Sequence, residues 1–189
     1  LDENDTQEGR NGELFADDVT LPRTLYCKLL RSPLPHARIR GIDVSKAQAY
    51  EGVHLVLTGK DLPIEFGILP VSQDEEALCG ERVRYVGDPV AAVVARDEWI
   101  AEEALELIEV DYEPLRTIAS PEEALAHPDP RIHEYGEEGN IHKRVAFTFG
   151  DVEEALEQAD EVFDDTFFFE GNTHLPMEQH ATLAHTAAD

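Results

Sequence analysis

His174, Glu178 and His180 form the densest cluster of potential metal ligands in the sequence. His174 and Glu178 stand four residues apart, a spacing that shares one helix face, but Pro176 lies between them and strand character surrounds them. In an extended chain Glu178 and His180 point to the same side, as two ligands of one metal would. The preferred reading is a structural or substrate-wall segment, with metal binding as the alternative. His36, His54, His127, His133 and His142 are scattered without ligand spacing and read as satisfied polar residues.

Other chemistries leave weaker traces. Gly87-Asp88-Pro89 joins two apolar runs, but neither GxGxxG nor GxxxxGK[ST] is present, so a tight connection is preferred to a phosphate loop. No GxSxG accompanies any serine. Cys27 and Cys79 have 51 residues between them and no CxxC, which builds neither a zinc nor an iron–sulfur ligand set. Each cysteine is expected to be a small buried hydrophobe. Acid pairs are too frequent at this acidity to identify a catalytic carboxylate dyad. By residue chemistry alone, no complete active site is visible.

The elements that would position these residues follow an α/β order. Leu25–Leu30 is a short apolar run suited to a buried strand, broken by Pro33 and Pro35. Arg38–Val44 alternates as a second strand, with Ser45 expected to cap a short helix that ends near Gly52. Val53–Thr58 is a strand, Leu62–Gly80 a long loop, and Arg82–Val86 a further alternating run. Val90–Ala95 is apolar on both faces and predicts a central strand. Asp97 can cap a helix over Glu98–Glu109, and Val110–Leu115 is a strand ended by Pro114. Ser120-Pro121-Glu122-Glu123 opens a helix running to about Ala126. His127–Phe149 reads as a linker. Asp151 opens another helix, and two strands, Glu161–Glu170 and about Glu178–Thr186, are expected around the turn at Gly171-Asn172. The chain stops at Asp189, as a second unit cut off after its first hairpin would.

Composition narrows the class of partner. Hydrophobic residues make up 42% of 189, enough for a core, and the charges are interleaved with them. Forty-one acidic residues face fifteen basic ones, a net charge of −26. Such a surface repels nucleic acid and anionic membranes. The basic set holds eleven Arg and only four Lys, so the acidity fits either adaptation to high salt or an acidic face that meets a basic subunit. No signal-peptide pattern opens the chain and no apolar run approaches 18 residues, so the expected location is the cytoplasm.

Several ordered stretches carry a resemblance. Phe15–Val19, Leu25-Tyr26, Leu30–Pro33 and Pro35–Ile39 resemble the opening of the large subunit of the xanthine dehydrogenase and aldehyde oxidase family, the molybdenum hydroxylases. Leu57–Pro63, Val83–Ala91, Val110–Leu115, Gly150–Val152 and His174–His180 continue the likeness over nearly the whole chain. Within that family, Gly67–Glu75 looks most like the 4-hydroxybenzoyl-CoA reductase branch.

The resemblance implies an α/β fold: an α/β-hammerhead domain over residues 1–126, a linker over 127–149, and from 150 to 189 the truncated start of a molybdopterin-binding domain. It implies a molybdenum–molybdopterin cofactor in the full subunit, 2Fe–2S clusters and FAD in partner subunits or domains, and an aromatic, heterocyclic or CoA-thioester substrate. The cofactor performs the difficult step while protein positions substrate. The family's Gly-rich cofactor segment, its general-base Glu and its metal-proximal Gln have no matching positions here, so no catalytic residue is carried over. His174, Glu178 and His180 match a family stretch at the edge of the cofactor domain. The expected role is a scaffold portion of the molybdenum-cofactor subunit. The alternatives are a non-catalytic subunit-interaction module and a naturally split subunit completed by a partner chain.

Overall fold

The computed structural model describes residues 16–19, 21–67, 73–136, 138–173, 175 and 180–186. The chain divides into two compact units, one formed by Arg23–Arg144 and the other by Leu1–Pro22 with Val145–Asp189.

The Arg23–Arg144 unit is built on two antiparallel sheets. The first has the order β1–β7–β3, from Tyr26–Arg31, Pro89–Ala95 and Val53–Thr58. Pro89–Ala95 is central, as its continuous apolar run predicts, and most of it is fully buried. The second sheet has the order β6–β2–β8, from Arg82–Val83, Ala37–Asp43 and Glu109–Pro114. A two-residue pair, β4 (Glu65–Phe66) with β5 (Glu75–Glu76), lies within the stretch expected to be loop.

One face of the first sheet is covered by two helices, α1 (Ser45–Gln48) and α2 (Glu98–Leu105). Val56, Ala91, Val93 and Ala95 from the strands pack with Ala47, Ile100, Ala101, Ala104 and Ile108. Small residues on α2 let the helix sit close to the sheet. A second cluster of Ala37, Cys79, Val83 and Val90 joins the two sheets.

Several local expectations are corrected. The α2 helix begins at the Asp97 cap, whose Oδ1 accepts the Ile100 amide at 2.9 Å, but it ends at Leu105. Glu109 is taken instead by β8, which pairs with β2 through Ile42↔Val110, so sheet pairing overrides helix propensity. Ser45 is the first residue of α1 and not its cap; its amide is held by Asp43 Oδ1 at 2.9 Å. Of the run Arg82–Val86 only Arg82 and Val83 pair with β2, because the Arg84 amide turns away to Asp88 Oδ2 at 2.9 Å. Cys79 is buried, but Cys27 is exposed, since alternation along β1 sends it away from the helices.

After β8, α3 (Pro121–Ala126) is capped by Ser120, whose Oγ accepts from Glu123. The stretch that follows is tied to β6 as a strap. Arg82 and Arg84 donate to the carbonyls of Arg131 and Ile132 at 2.8 and 3.0 Å. Asn140 holds the strap's own path, donating to the His127 carbonyl at 2.8 Å and accepting from the Ile132 amide.

In the other unit the described order is limited to the turn Ala16–Asp18 and α4 (Val152–Glu157), whose Asp151 cap accepts from Glu154. The strands expected at 161–170 and 178–186 are absent among the described residues of those spans. Phe163, Phe167, Phe168 and Phe169 are each more than four-fifths exposed. Among the described residues no strand or helix covers these side chains, and a hairpin without such cover is marginal.

Candidate functional site

His174 and Glu178 lie outside the described residues, and His180 is exposed. Among the described residues no group of three or more His, Cys, Asp or Glu is placed to hold a metal ion.

A cavity with titratable groups on its wall lies in the Arg23–Arg144 unit. It has a volume of about 440 Å³ and is lined by Phe66, Asp74, Cys79, Arg84, Tyr85 and His133, among others. Phe66 comes from β4 and Asp74 directly precedes β5. His133 is delivered by the strap, and its Nδ1 lies 2.8 Å from Asp74 Oδ2. The Arg84 guanidinium stands 3.9 Å from the same oxygen. Asp74 Oδ1 is buried and has no partner. The carboxylate thus fixes the imidazole ring and keeps one free acceptor.

Asp88 organises the floor. It is 6% exposed, it accepts from the Arg84 amide at 2.9 Å, and its charge acts on the Cys79 thiol and the Tyr85 hydroxyl. Burial first, and then the Asp88 carboxylate, push the Cys79 thiol far above its ordinary range. Cys79 is therefore a protonated thiol at neutral pH, unsuited to act as nucleophile or metal thiolate. Tyr85 is raised in the same way, by burial and then by Asp88.

The Gly87-Asp88-Pro89 turn is a structural connection. Gly87 has φ +98°, which a residue without Cβ adopts freely. Its amide donates to the Ser32 carbonyl at 2.8 Å, and the Asp88 amide donates to Tyr85. Those amides are spent, so the turn offers no cradle for phosphate.

A larger recess of about 760 Å³ is lined by Arg38, Arg40, Arg82 and Arg84 together with Glu65, Asp74, Glu76, Glu81 and Glu134. Arg40 pairs with Glu113, Arg82 with Glu134 and Arg84 with Asp74. Mixed charge neutralised in this way does not select an anion. Sequence reading had no means to find the Asp74–His133 pair, because they lie 59 positions apart and neither sits in a spaced pattern.

Comparison with known proteins assigns this architecture. Residues 11–116 match the family described as aldehyde oxidase and xanthine dehydrogenase, a/b hammerhead domain. The chain belongs to the aldehyde oxidase and xanthine dehydrogenase family. Residues 132–189 match the molybdopterin cofactor-binding domain. The two sheets and α2 are thus the α/β-hammerhead region of this family.

Three relatives place the chain within it. It is 46% identical over 176 residues to a probable xanthine dehydrogenase subunit of Bacillus subtilis (strain 168), covering 92% of this chain and 23% of that protein. It is 38% identical over 173 residues to the nicotinate dehydrogenase large molybdopterin subunit of Eubacterium barkeri, covering 90% and 40%. Quinoline 2-oxidoreductase from Pseudomonas putida 86 superposes with a TM-score of 0.61 at 35% identity, over 68% of this chain and 17% of that one. The chain thus spans well under half the length of these family members. No helix among the described residues is long and apolar enough to cross a membrane.

Proposed function

We propose that this chain is the scaffold-bearing N-terminal part of the molybdenum-cofactor subunit of a molybdenum hydroxylase-type oxidoreductase. The observation that carries the reading is the order of the two matches, a hammerhead at 11–116 followed directly by a molybdopterin-binding segment at 132–189. Two matched modules in the family's order are a stronger warrant than either fold alone. We place the hammerhead at 1–126, a connecting stretch at 127–149 and the start of the cofactor domain at 150–189.

When bound, a molybdenum–molybdopterin cofactor supplies two-electron oxygen-atom chemistry at an electron-poor carbon. The described residues do not form a cradle for it. From residue 142 onward every described side chain is exposed, and no ligand cluster is assembled among them. No chemical step is therefore assigned to these residues, and their contribution is to fold, to hold the strap and to present surfaces.

The substrate we favour is a nitrogen heterocycle. Xanthine, nicotinate and quinoline, the compounds in the names of the relatives above, are all of that class. The likeness of Gly67–Glu75 to the 4-hydroxybenzoyl-CoA reductase branch supports an aromatic CoA thioester as the second reading. We further assign iron–sulfur and FAD subunits or domains as electron-carrying partners, since two electrons leaving the metal need an outlet. Metal and pterin analysis of the assembly purified from its source tests the reading. About one molybdenum per subunit is expected, whereas an assembly lacking molybdenum and pterin overturns it. The 189-residue chain alone is expected to show no turnover.

A further inference from the structure

The β1–β7–β3 sheet has a second face, opposite α1 and α2. Register places Cys27, Val94 and Leu55 in one row across it, and Leu29, Ala92 and Leu57 in the next. Leu25, Leu29 and Leu55 are 45%, 39% and 45% exposed, and Cys27 is exposed between them. In a chain whose residues are 30% charged, two consecutive rows on one sheet face carry no charge at all. Val90 and Ala92 of this face are buried, Val90 in the cluster that joins the two sheets, so the exposed apolar part is Leu25, Cys27, Leu29 and Leu55. An exposed apolar patch of this kind marks an interaction site.

We propose that this face is a seam that packs against an apolar surface of the rest of the large subunit, the polypeptide that family members carry outside the span matched here. The inference rests on the family role proposed above. Two observations choose the occupant. The matched span is 23% and 40% of two relatives, so most of such a subunit lies outside it and is tethered to the hammerhead at high effective concentration. A second copy of this chain is disfavoured, because each copy carries a net charge of −26 and the two repel.

Cys27 reports on the seam. Its thiol is raised by partial burial among apolar neighbours but remains exposed, whereas Cys79 is 2% exposed and serves as a silent internal control. The experiment is N-ethylmaleimide labelling at pH 8, read by peptide mass. Three samples are compared: the 189-residue chain, the assembly purified from its source, and the large subunit separated from that assembly. Ready labelling of Cys27 in the first and at least tenfold slower labelling in the other two is expected.

Protection already present in the 189-residue chain overturns the proposal: if it varies with concentration the occupant is a second copy, and if not, the chain covers itself. Loss of protection when partner subunits are removed also overturns it, by assigning the face to a separate subunit. Equal labelling throughout does the same. Molybdenum measured on the same assembly separates the two readings, since a loaded enzyme with an open Cys27 sinks the seam alone. As a second readout, L55D is expected to leave the thermal midpoint of the 189-residue chain unchanged and to lower the yield of intact assembly at least threefold. An unchanged yield counts against the seam.

Discussion

At the scale of single residues, His36 carries the clearest pH dependence. It is 3% exposed, and its Nδ1 lies 2.9 Å from the Arg116 carbonyl, which can only accept. The proton therefore sits on Nδ1, and Nε2 is left buried with no partner. Protonating Nε2 would place an unsatisfied cationic donor in the interior. Burial lowers the pKa of the ring, and Arg82 and Arg84 act in the same direction. Since the folded value lies below the unfolded one, the unfolded chain binds the extra proton first as pH falls. Stability is full above the ordinary histidine value of about 6.5 and is lost as pH drops beneath it. Thermal melts between pH 7.5 and 5 are expected to show a falling midpoint that is shallower in H36Q; equal slopes would remove His36 as the cause. Asp43 and Asp61, lowered by hydrogen bonds from Ser45 and Thr58, act only below about pH 4 and do not overlap this window.

At the scale of elements, α2 is the helix on which the core depends. Its cap is one hydrogen bond from the Ile100 amide to Asp97, and its buried face is Ile100, Ala101 and Ala104. D97A is expected to cost about 1 kcal/mol and I100A about 2–4 kcal/mol, measured by urea denaturation of the 189-residue chain. A loss at Asp97 as large as that at Ile100 would contradict the division between cap and core. This helix and the central strand were legible from sequence, because capping chemistry and an unbroken apolar run are local signals. The end of α2 was not, since nothing local reveals that Glu109 and Val110 are claimed by β2. Exposure of Cys27 was hidden for the same reason: a strand's alternation is visible, but which side the helices cover is decided by the packing of distant segments. The Asp74–His133 pair needed two loops to meet, which no spacing rule reports. The segment at 161–170 shows the converse, a strand-like pattern whose pairing partner is not among the described residues.

At the scale of the whole molecule, charge is the dominant unbalanced quantity. Ion pairs such as Lys46 with Glu109 and Lys28 with Glu98 lie at the surface, and pairs of that kind contribute little each. The remaining carboxylates repel one another through water, and mobile cations shorten the range of that repulsion. If the acidity is an adaptation to salt, raising KCl from 0.1 to 2 M lifts the thermal midpoint by about 5 °C, equivalent to ~1–2 kcal/mol for a chain of this length. A flat response assigns the acidity to a face that meets a basic partner subunit, and titration with that subunit then restores the lift.

The strap over β6 has a mechanical consequence. Any tension transmitted along the chain from residues beyond Arg144 reaches the hammerhead first through the clasp of Arg82 on Arg131 and Glu134, Arg84 on Ile132, and His133 on Asp74. These contacts lie along the chain between the pull and β8, so they must release before the β8–β2 ladder can be unzipped from its end. The strap works as a strain relief, like the clamp that keeps a tugged cable from stressing its solder joint.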